Sequence, residues 1–205
     1  MRASSAIPIA TGISIAWAQT QSPKRGLVYV PNKETPEDDE VWVRSGSDLT
    51  WYYNYEKEPS AAFAGLAQED FAFVPMLWGA IDDASFRESV EAQIEAGRNI
   101  THVLAFNEPD GPTQYGGSDV APARAAEVWV RNIEPLAAHG VKLGLPACTG
   151  GWGGIPWLQQ FLGNCSDLVS ADGGRRRNCT YDFVNIHWYG NFEGLASHMG
   201  SYSAA

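Results

Sequence analysis

The sequence predicts an α/β fold built around a parallel β-sheet. Short apolar segments typical of strands alternate with longer amphipathic segments typical of helices from Gly26 onward. The strand segments are apolar throughout, as expected when helices cover both faces of a parallel sheet. This alternation is compatible with an open doubly wound sheet and with a closed β/α barrel. No Gly-x-Gly-x-x-Gly follows the first strand, so the sequence does not support a dinucleotide-binding site.

Each predicted strand is a short run rich in Val, Leu, Phe or Tyr that lies between Pro, Gly, Asn or Asp residues. The acidic and polar segment Glu34–Val43, which follows the first of them, is predicted to be a loop. The predicted strands are Leu27–Val30, Thr50–Tyr53, Phe73–Leu77, His102–Phe106, Lys142–Leu145 and Phe183–His187.

The predicted helices are recognised by apolar residues that repeat every three or four positions. In Ala84–Gly97 the repeat is Phe86, Val90 and Ile94, and Gly97 ends the helix. A longer helix is predicted at Pro122–His139, with a proline near its start and Gly140 as its C-terminal cap. Its apolar face comprises Ala126, Trp129, Val130, Ile133 and Leu136, and a third, shorter helix is predicted at Pro156–Leu162.

The N-terminal region indicates export. Residues 1–18 have the layout of a secretory signal peptide, because Arg2 precedes an apolar stretch and Ala16-Trp17-Ala18 fits the cleavage pattern. A disordered leader is the alternative interpretation. Residues 19–26 form a short processed or linker segment, and residues 27–205 form the domain. We expect a secreted protein of the extracellular space or cell wall, with no membrane span, and glycosylation at the Asn-x-Ser/Thr motifs of Asn99, Asn164 and Asn178.

Charge and cysteine content limit the classes of partner. The chain has 14 Lys and Arg against 24 Asp and Glu, a net charge of −10 that repels phosphate backbones and argues against nucleic acid. In an oxidising compartment Cys165 and Cys179 are predicted to form a disulfide, which leaves Cys148 as a small buried hydrophobe. The histidines and cysteines lack metal-ligand spacing, so no metal or cofactor is expected.

Polar and aromatic residues follow the predicted strands, where a β/α barrel carries its active site. Glycoside hydrolysis needs one carboxylic acid to protonate the leaving oxygen and a second carboxylate as nucleophile or base. Glu108, which follows the fourth strand in Asn107-Glu108-Pro109-Asp110, is the candidate acid. The alternative is that Glu108 and Asp110 cap a turn. Aromatic rings at the other strand ends suit the apolar faces of sugars, and core packing is the alternative for each of them.

Five segments together resemble glycoside hydrolase family 128, a group of largely fungal β-1,3-glucanases of the retaining barrel clan. The resemblance extends in order from Gly26 to Ala205, and the combination is more specific than any single motif. The segments are Gly26-Leu27-Val28-Tyr29-Val30-Pro31, Trp51-Tyr52-Tyr53-Asn54, Phe73-Val74-Pro75-Met76-Leu77-Trp78-Gly79, Phe106-Asn107-Glu108-Pro109-Asp110 and His187-Trp188-Tyr189-Gly190.

The resemblance implies a (β/α)8 TIM-type barrel that cleaves the β-1,3-glucan of cell walls with retention of configuration. Glu108 matches the family's general acid/base, and Asn107 matches the asparagine that precedes it. The resemblance also places five side chains in the substrate cleft, and we expect them to contact sugar: Trp51, Tyr53, Trp78, His187 and Tyr189. We expect the protein to act as a monomer.

The sequence departs from the family at the nucleophile, a glutamate that the family carries at the end of its seventh strand. The chain ends at Ala205, after about six of the eight strand–helix units, so we expect an incomplete barrel without that glutamate. Glu193 is better explained as a residue of a first helical turn. Three hypotheses follow: a truncated endo-β-1,3-glucanase, a non-catalytic β-glucan-binding cell-wall protein or inactive remnant, and an enzyme of the same fold that acts on another glycan.

Overall fold

The computed structural model of this 205-residue chain describes residues 24–31, 34–171 and 175–205. The predicted signal peptide, residues 1–18, lies outside the described residues, as does most of the predicted 19–26 linker. Gly26 already belongs to the first strand, where it pairs with Trp51. No helix in these ranges combines the length and the apolar character that a membrane span requires.

Short parallel strands form two three-stranded sheets, with the orders β1-β2-β3 and β4-β5-β6. Neighbouring strands in each sheet are also neighbours in sequence, which is the order found in β/α barrels. Within the described ranges, no other strand pairs with β1 besides β2, so the strands do not form a closed barrel there. The α/β class is therefore confirmed. The strands are β1 Gly26–Val28, β2 Trp51–Tyr53, β3 Ala72–Phe73, β4 Met76–Leu77, β5 His102–Ala105 and β6 Lys142–Leu143.

The predicted strand Phe73–Leu77 is divided into β3 and β4 by Pro75. The amide of Val74 donates to the carbonyl of Tyr52 at 2.9 Å, on the β2 side. Pro75 has no amide proton, but its carbonyl accepts from Leu104 at 2.9 Å, on the β5 side. The chain therefore passes from pairing with one neighbour to pairing with the next at this proline.

The prediction of a sixth strand at Phe183–His187 was wrong, because the segment forms only an isolated bridge between Phe183 and Gly144. Backbone hydrogen bonds hold the segment at this bridge, where the amide of Leu145 donates to the carbonyl of Phe183 and the amide of Asp182 donates to the carbonyl of Leu143, each at 2.9 Å. Side chains add to them. The carboxylate of Asp182 accepts from the amide of Leu143 at 2.9 Å, and the amide of Asn185 donates to the carbonyl of Leu145 at 2.6 Å. The segment still lies beside β6.

The described residues also form four α-helices and four 3₁₀ helices, and the last two α-helices follow the last strand. The predicted helix Pro122–His139 ends early, because Pro135 cannot donate to the preceding turn and the chain continues as a 3₁₀ helix. The predicted loop at Glu34–Val43 also contains a 3₁₀ helix. The α-helices are α1 Ser85–Glu95, α2 Pro122–Asn132, α3 Gly154–Val169 and α4 Phe192–Ala204, and the 3₁₀ helices are Pro36–Trp42, Ala61–Phe63, Thr113–Tyr115 and Glu134–His139.

The core contains two aromatic clusters. In the first half of the chain, Tyr52 is buried among Tyr29 and three phenylalanines, with ring centroids 4.9 to 6.3 Å from its own. In the second half, the buried indole of Trp129 on α2 meets Phe161 on α3 edge to face at 5.4 Å. Cys165 at the end of α3 is bonded to Cys179, as the sequence analysis expected, and Cys148 is a buried free thiol.

Candidate active site

Asn107 and Glu108 lie just beyond the C-terminal end of β5, between the chain segments that follow β4 and β6. The amide of Asn107 donates to the carbonyl of Trp78, and the amide of Glu108 donates to the carbonyl of Ala147, both at 2.8 Å. Because the strands are parallel, their C-terminal ends meet at one edge of the sheet. Backbone contacts to both sides therefore fix the position of Glu108 at this edge.

The backbone around Asn107 adopts conformations that side chains disfavour. Phe106 and Glu108 have φ angles of 38° and 43°, in the left-handed region that non-glycine residues rarely occupy. Such residues cost about 1–3 kcal/mol each and are concentrated at functional sites. The surrounding fold stabilises this strained turn. The strain at the end of β5 is therefore of the kind that is typical of functional sites.

The side chain of Glu108 forms a close pair with His187. Oε1 of Glu108 lies 2.8 Å from Nδ1 of His187, and the two side chains are 17% and 22% exposed. His187 comes from the segment after β6 that was predicted as a strand. A carboxylate and an imidazole at this distance share a hydrogen bond in which either group carries the proton. The Glu108–His187 pair can thus hold a proton at the C-terminal edge of the sheet.

The loop after Glu108 is tied back to Asn107. The side-chain amide of Asn107 donates to the carbonyl of Gly116, and its backbone carbonyl accepts from Ser118, both at 2.8 Å. Gly117 is needed between them, because a β-carbon there would lie 2.2 Å from the carbonyl oxygen of Gly111. The loop is thus held compactly over the strand end, and Asn107 keeps its side-chain oxygen for another contact.

Asp110 joins the loop after β5 to the loop after β6. Its two carboxylate oxygens accept from the backbone amide of Thr149 at 2.8 Å and from the hydroxyl of Thr149 at 2.6 Å. The sequence suggested a turn cap as the alternative role of Asp110 and gave no indication of a role for Thr149. A link between two loops that are distant in sequence has no local signal, so periodicity and motif spacing could not have found it.

The aromatic residues that were predicted to contact sugar differ in burial and position. Tyr53, at the end of β2, contacts the ring of Tyr55 at 5.2 Å, and burial raises the pKa of its hydroxyl, so the group remains a hydrogen-bond donor. Trp78 follows β4, Tyr189 follows the segment after β6, and both side chains are exposed. Trp51 is the first residue of β2, and its ring stacks on that of Tyr53 with the ring centroids 6.5 Å apart.

The predicted glycosylation motifs differ in accessibility. Asn99 and Asn178 lie on the surface, in irregular segments. Asn164 lies half-buried inside α3, and the hydroxyl of Ser166 in its motif is already bonded to the amide of Cys179 at 3.1 Å. The first two asparagines are therefore better placed for modification than the third.

The sequence of this chain matches a known protein family. Residues 26–205 match the family described as the glycosyl hydrolase catalytic core. The chain belongs to this family. The match covers every strand, Glu108 and His187, and the resemblance to glycoside hydrolase family 128 is confirmed by the solved structures of that family that share the fold.

The chain is also similar to Alkali-sensitive linkage protein 1 of Schizosaccharomyces pombe. The two are 30% identical over 183 residues, which is 88% of this chain and 29% of that relative. The chain therefore spans less than a third of the length of this relative.

Two crystal structures of family 128 share the fold. One is a curdlan-specific exo-β-1,3-glucanase from Blastomyces gilchristii in complex with glucose, with a TM-score of 0.64 and 30% identity over 88% of this chain and 68% of that one. The other is an endo-β-1,3-glucanase from Pseudomonas viridiflava, with a TM-score of 0.67 and 28% identity over 90% of this chain and 68% of that one.

Proposed function

We propose that this chain carries a glycoside hydrolase site for β-1,3-glucan, in which Glu108 is the general acid/base. The observation that carries the proposal is the partly buried pair of Glu108 and His187, 2.8 Å apart at the C-terminal edge of the sheet. The described relatives whose structures share this fold at 28% and 30% identity are both β-1,3-glucanases. We further propose that the strands are arranged as part of a β/α barrel.

The chemistry follows from the two protonation states of Glu108. The protonated carboxyl donates its proton to the glycosidic oxygen as the bond to the anomeric carbon breaks. The resulting carboxylate later accepts a proton from the water molecule whose oxygen forms the new bond to the anomeric carbon. His187 holds the side chain in place through its hydrogen bond. Because Glu108 is largely shielded from solvent, proton transfer takes place with little competition from bulk water.

A retaining mechanism needs a second carboxylate about 5–5.5 Å from the first. Asp110 is already bonded to Thr149, and Glu193 lies exposed in the first turn of α4, whose start is capped by Asn191. Neither residue contacts the Glu108–His187 pair. We therefore assign the acid/base role to Glu108 and give no residue of the described chain the role of nucleophile.

The proposed substrate contacts surround this pair. Tyr53 offers a protonated hydroxyl, Asn107 offers its side-chain oxygen, and Trp78 and Tyr189 offer exposed rings on which the C–H face of a sugar can stack. His187 serves the acid/base and lies beside the bound sugar. Trp51 is left out, because it is the first residue of β2 and Tyr53 is the last.

We also propose an extracellular or cell-wall location for the protein, with glycans on Asn99 and Asn178. The disulfide between Cys165 and Cys179 supports this, because such bonds form and persist in oxidising compartments.

The experiment that tests the function compares Glu108→Gln with the unaltered chain on linear β-1,3-glucan. The amide cannot donate the proton, so hydrolysis should fall by roughly 10²–10⁴-fold while glucan binding is retained. Glu193→Gln is the matched control and should keep both properties, because Glu193 is exposed and outside the site.

The outcome also separates the two classes of function. Hydrolysis that survives in Glu108→Gln contradicts the acid/base assignment. Binding without any hydrolysis by the unaltered chain would favour a non-catalytic β-glucan-binding protein, which the single carboxylate of the described site also fits. A chain that neither binds nor cleaves β-1,3-glucan would overturn the proposal.

A further inference from the structure

The sequence contains two runs of adjacent basic residues, Lys24-Arg25 and Arg175-Arg176-Arg177, and every other Lys or Arg stands without a basic neighbour. Neither run belongs to the candidate active site. Adjacent basic residues are the recognition element of a class of endoproteases that process exported proteins, so each run is a potential cleavage site. The structure gives the two runs very different accessibility.

The first run is protected by β1. The carbonyl of Arg25, which a protease would have to attack, accepts from the amide of Thr50 at 3.1 Å. On the other side of the bond, Gly26 begins β1 and pairs with Trp51. A protease binds its substrate as an extended strand and holds the attacked carbonyl with its own donors. The bond between Arg25 and Gly26 is therefore unavailable while β1 is paired with β2.

The second run is open to solvent. Arg175 and Arg176 lie exposed in the irregular segment that leads to Cys179. The guanidinium of Arg176 lies 3.3 Å from the carboxylate of Asp167, and both side chains are 71% exposed. An ion pair so exposed contributes little stability and releases the arginine readily. No described residue forms a hydrogen bond with the carbonyl of Arg176. Exposed irregular segments are where proteolytic nicking is concentrated.

Arg177 determines which bond of the second run is cleaved. Its Nε donates to the carbonyl of Val169 at 2.8 Å, and its amide donates to the hydroxyl of Ser170 at 2.9 Å. The guanidinium of Arg177 is thus held against the C-terminal end of α3, away from the specificity pocket of a protease. The pair left for recognition is Arg175-Arg176, which directs cleavage to the bond between Arg176 and Arg177. The exposed hydrogen bond to Ser170 opens by a local fluctuation.

The disulfide between Cys165 and Cys179 encloses this bond. Both cysteines are buried, so the disulfide is shielded from reductants that do not unfold the chain. The part of the chain that follows the bond carries His187, whose Nδ1 lies 2.8 Å from Oε1 of Glu108. After cleavage the disulfide would be the one covalent connection between these two residues.

We propose that the bond between Arg176 and Arg177 is a processing site for an endoprotease that recognises paired basic residues. The product is a two-chain protein joined by the Cys165–Cys179 disulfide. Cleavage consumes one water molecule, whose oxygen becomes part of the new carboxylate of Arg176, while the amide nitrogen of Arg177 becomes an ammonium group. No electrons are transferred until a thiol reductant supplies two of them to open the disulfide and separate the chains. This cleavage is independent of the proposed glucan specificity.

The test treats the oxidised full chain with a purified kexin-type endoprotease, which cleaves after paired basic residues. The chain is produced without N-glycans, because a glycan on Asn178 would stand next to the bond. The mass of the product should rise by one water molecule, with a single band in a non-reducing denaturing gel. Reduction should yield two fragments, one that ends at Arg176 and one that begins at Arg177.

Two variants test the recognition of the pair. Arg176→Gln should lower the cleavage rate by roughly 10²–10⁴-fold, because a pocket built for a cation is then left with an unpaired carboxylate. Arg175→Gln should act in the same direction, since the guanidinium of Arg177 is held by α3 and does not replace it. Both arginines are exposed, so neither change should disturb the fold.

Two matched variants and a denatured sample act as controls. Arg44→Gln changes an exposed arginine without a basic neighbour, and Lys24→Gln removes the other basic run. Both variants should be cleaved as the unaltered chain is. The reduced, alkylated and unfolded chain should be cleaved after both Arg25 and Arg176, which would show that the fold selects between two competent sequences.

A folded, oxidised chain that resists the protease would overturn the proposal. Cleavage of the folded chain after Arg25 at an equal or higher rate would also overturn it, as would cleavage that survives in Arg176→Gln. Fragments that separate in the denaturing gel without reduction would contradict the two-chain product. None of these outcomes bears on the role of Glu108, which the hydrolysis of β-1,3-glucan tests separately.

Discussion

Asp110 and Thr149 show how single residues support a site without entering it. The two residues are 39 positions apart, and three groups take part in their contact: one carboxylate, one hydroxyl and one backbone amide. Hydrogen bonds to a charged acceptor are typically worth about 1.5–3 kcal/mol, more than bonds between neutral groups. The pair therefore contributes to the position of Glu108, which lies two residues before Asp110.

We expect Asp110→Ala to destabilise the chain by about 2–3 kcal/mol, because it removes the acceptor of both hydrogen bonds from Thr149. Thr149→Val removes only the hydroxyl and should cost about 1 kcal/mol. Urea denaturation of the two single variants and the double variant measures both changes. A double variant whose loss equals the sum of the single losses would contradict a direct coupling of the two side chains.

Prolines explain where the elements of this fold begin and end, and only some of their effects are visible in sequence. The strand segments around β1, β2 and β5 were predicted to within two residues, because their apolar runs end at polar residues. The division between β3 and β4 was missed, because Pro75 lies within an apolar run and its effect depends on which neighbour pairs on each side. The same holds for α2, which ends before Pro135.

The segment after β6 is held by side chains as well as by backbone hydrogen bonds, and the carboxylate of Asp182 gives it a pH dependence. The hydrogen bond from Lys142, followed by that from the amide of Leu143, lowers the pKa of Asp182 below its ordinary value of 3.8. A lowered pKa in the folded state means that the unfolded chain binds the proton more readily. The stabilisation of the fold by ionised Asp182 is therefore present above about pH 4, and it is lost as the pH falls through the lowered pKa of Asp182.

We expect Asp182→Asn to be less stable than the unaltered chain at neutral pH and to approach its stability as the pH falls through the lowered pKa of Asp182. Urea denaturation of both proteins at neutral pH and over a series of acidic pH values measures the difference. Asp167→Asn, which changes a carboxylate that is 71% exposed, should show no comparable convergence. A difference between Asp182→Asn and the unaltered chain that is independent of pH would contradict the assignment.

For the whole molecule, the disulfide closes a short loop with a sequence separation of 14 residues, between α3 and the chain that leads to His187. Closing a loop of this length restricts the unfolded chain and stabilises the fold by about 3 kcal/mol. We expect the variant with both Cys165→Ala and Cys179→Ala to lose about this amount and to melt roughly 6–12 °C lower. Reduction of the unaltered chain should reproduce the shift, and reduction of the double variant should cause none.

The candidate site was predictable in part, because its chemistry and its position after a predicted strand indicated Glu108, and the resemblance to family 128 added Asn107 and His187. The distance between Glu108 and His187 was not predictable, since the two residues are 79 positions apart and meet only through the fold. Trp51 lies near the start of the predicted strand Thr50–Tyr53 and of β2 itself, and only the resemblance to the family suggested that it contacts sugar.

The two aromatic clusters give the molecule separate optical reporters. Tyrosine and phenylalanine make up the buried cluster around β1–β3, whereas the buried indole of Trp129 lies between α2 and α3. Near-ultraviolet circular dichroism in the tyrosine band therefore follows the first half of the chain, and the short-wavelength part of the tryptophan emission follows the second half. Coincident transitions in the two signals would mean that both halves unfold as one cooperative unit.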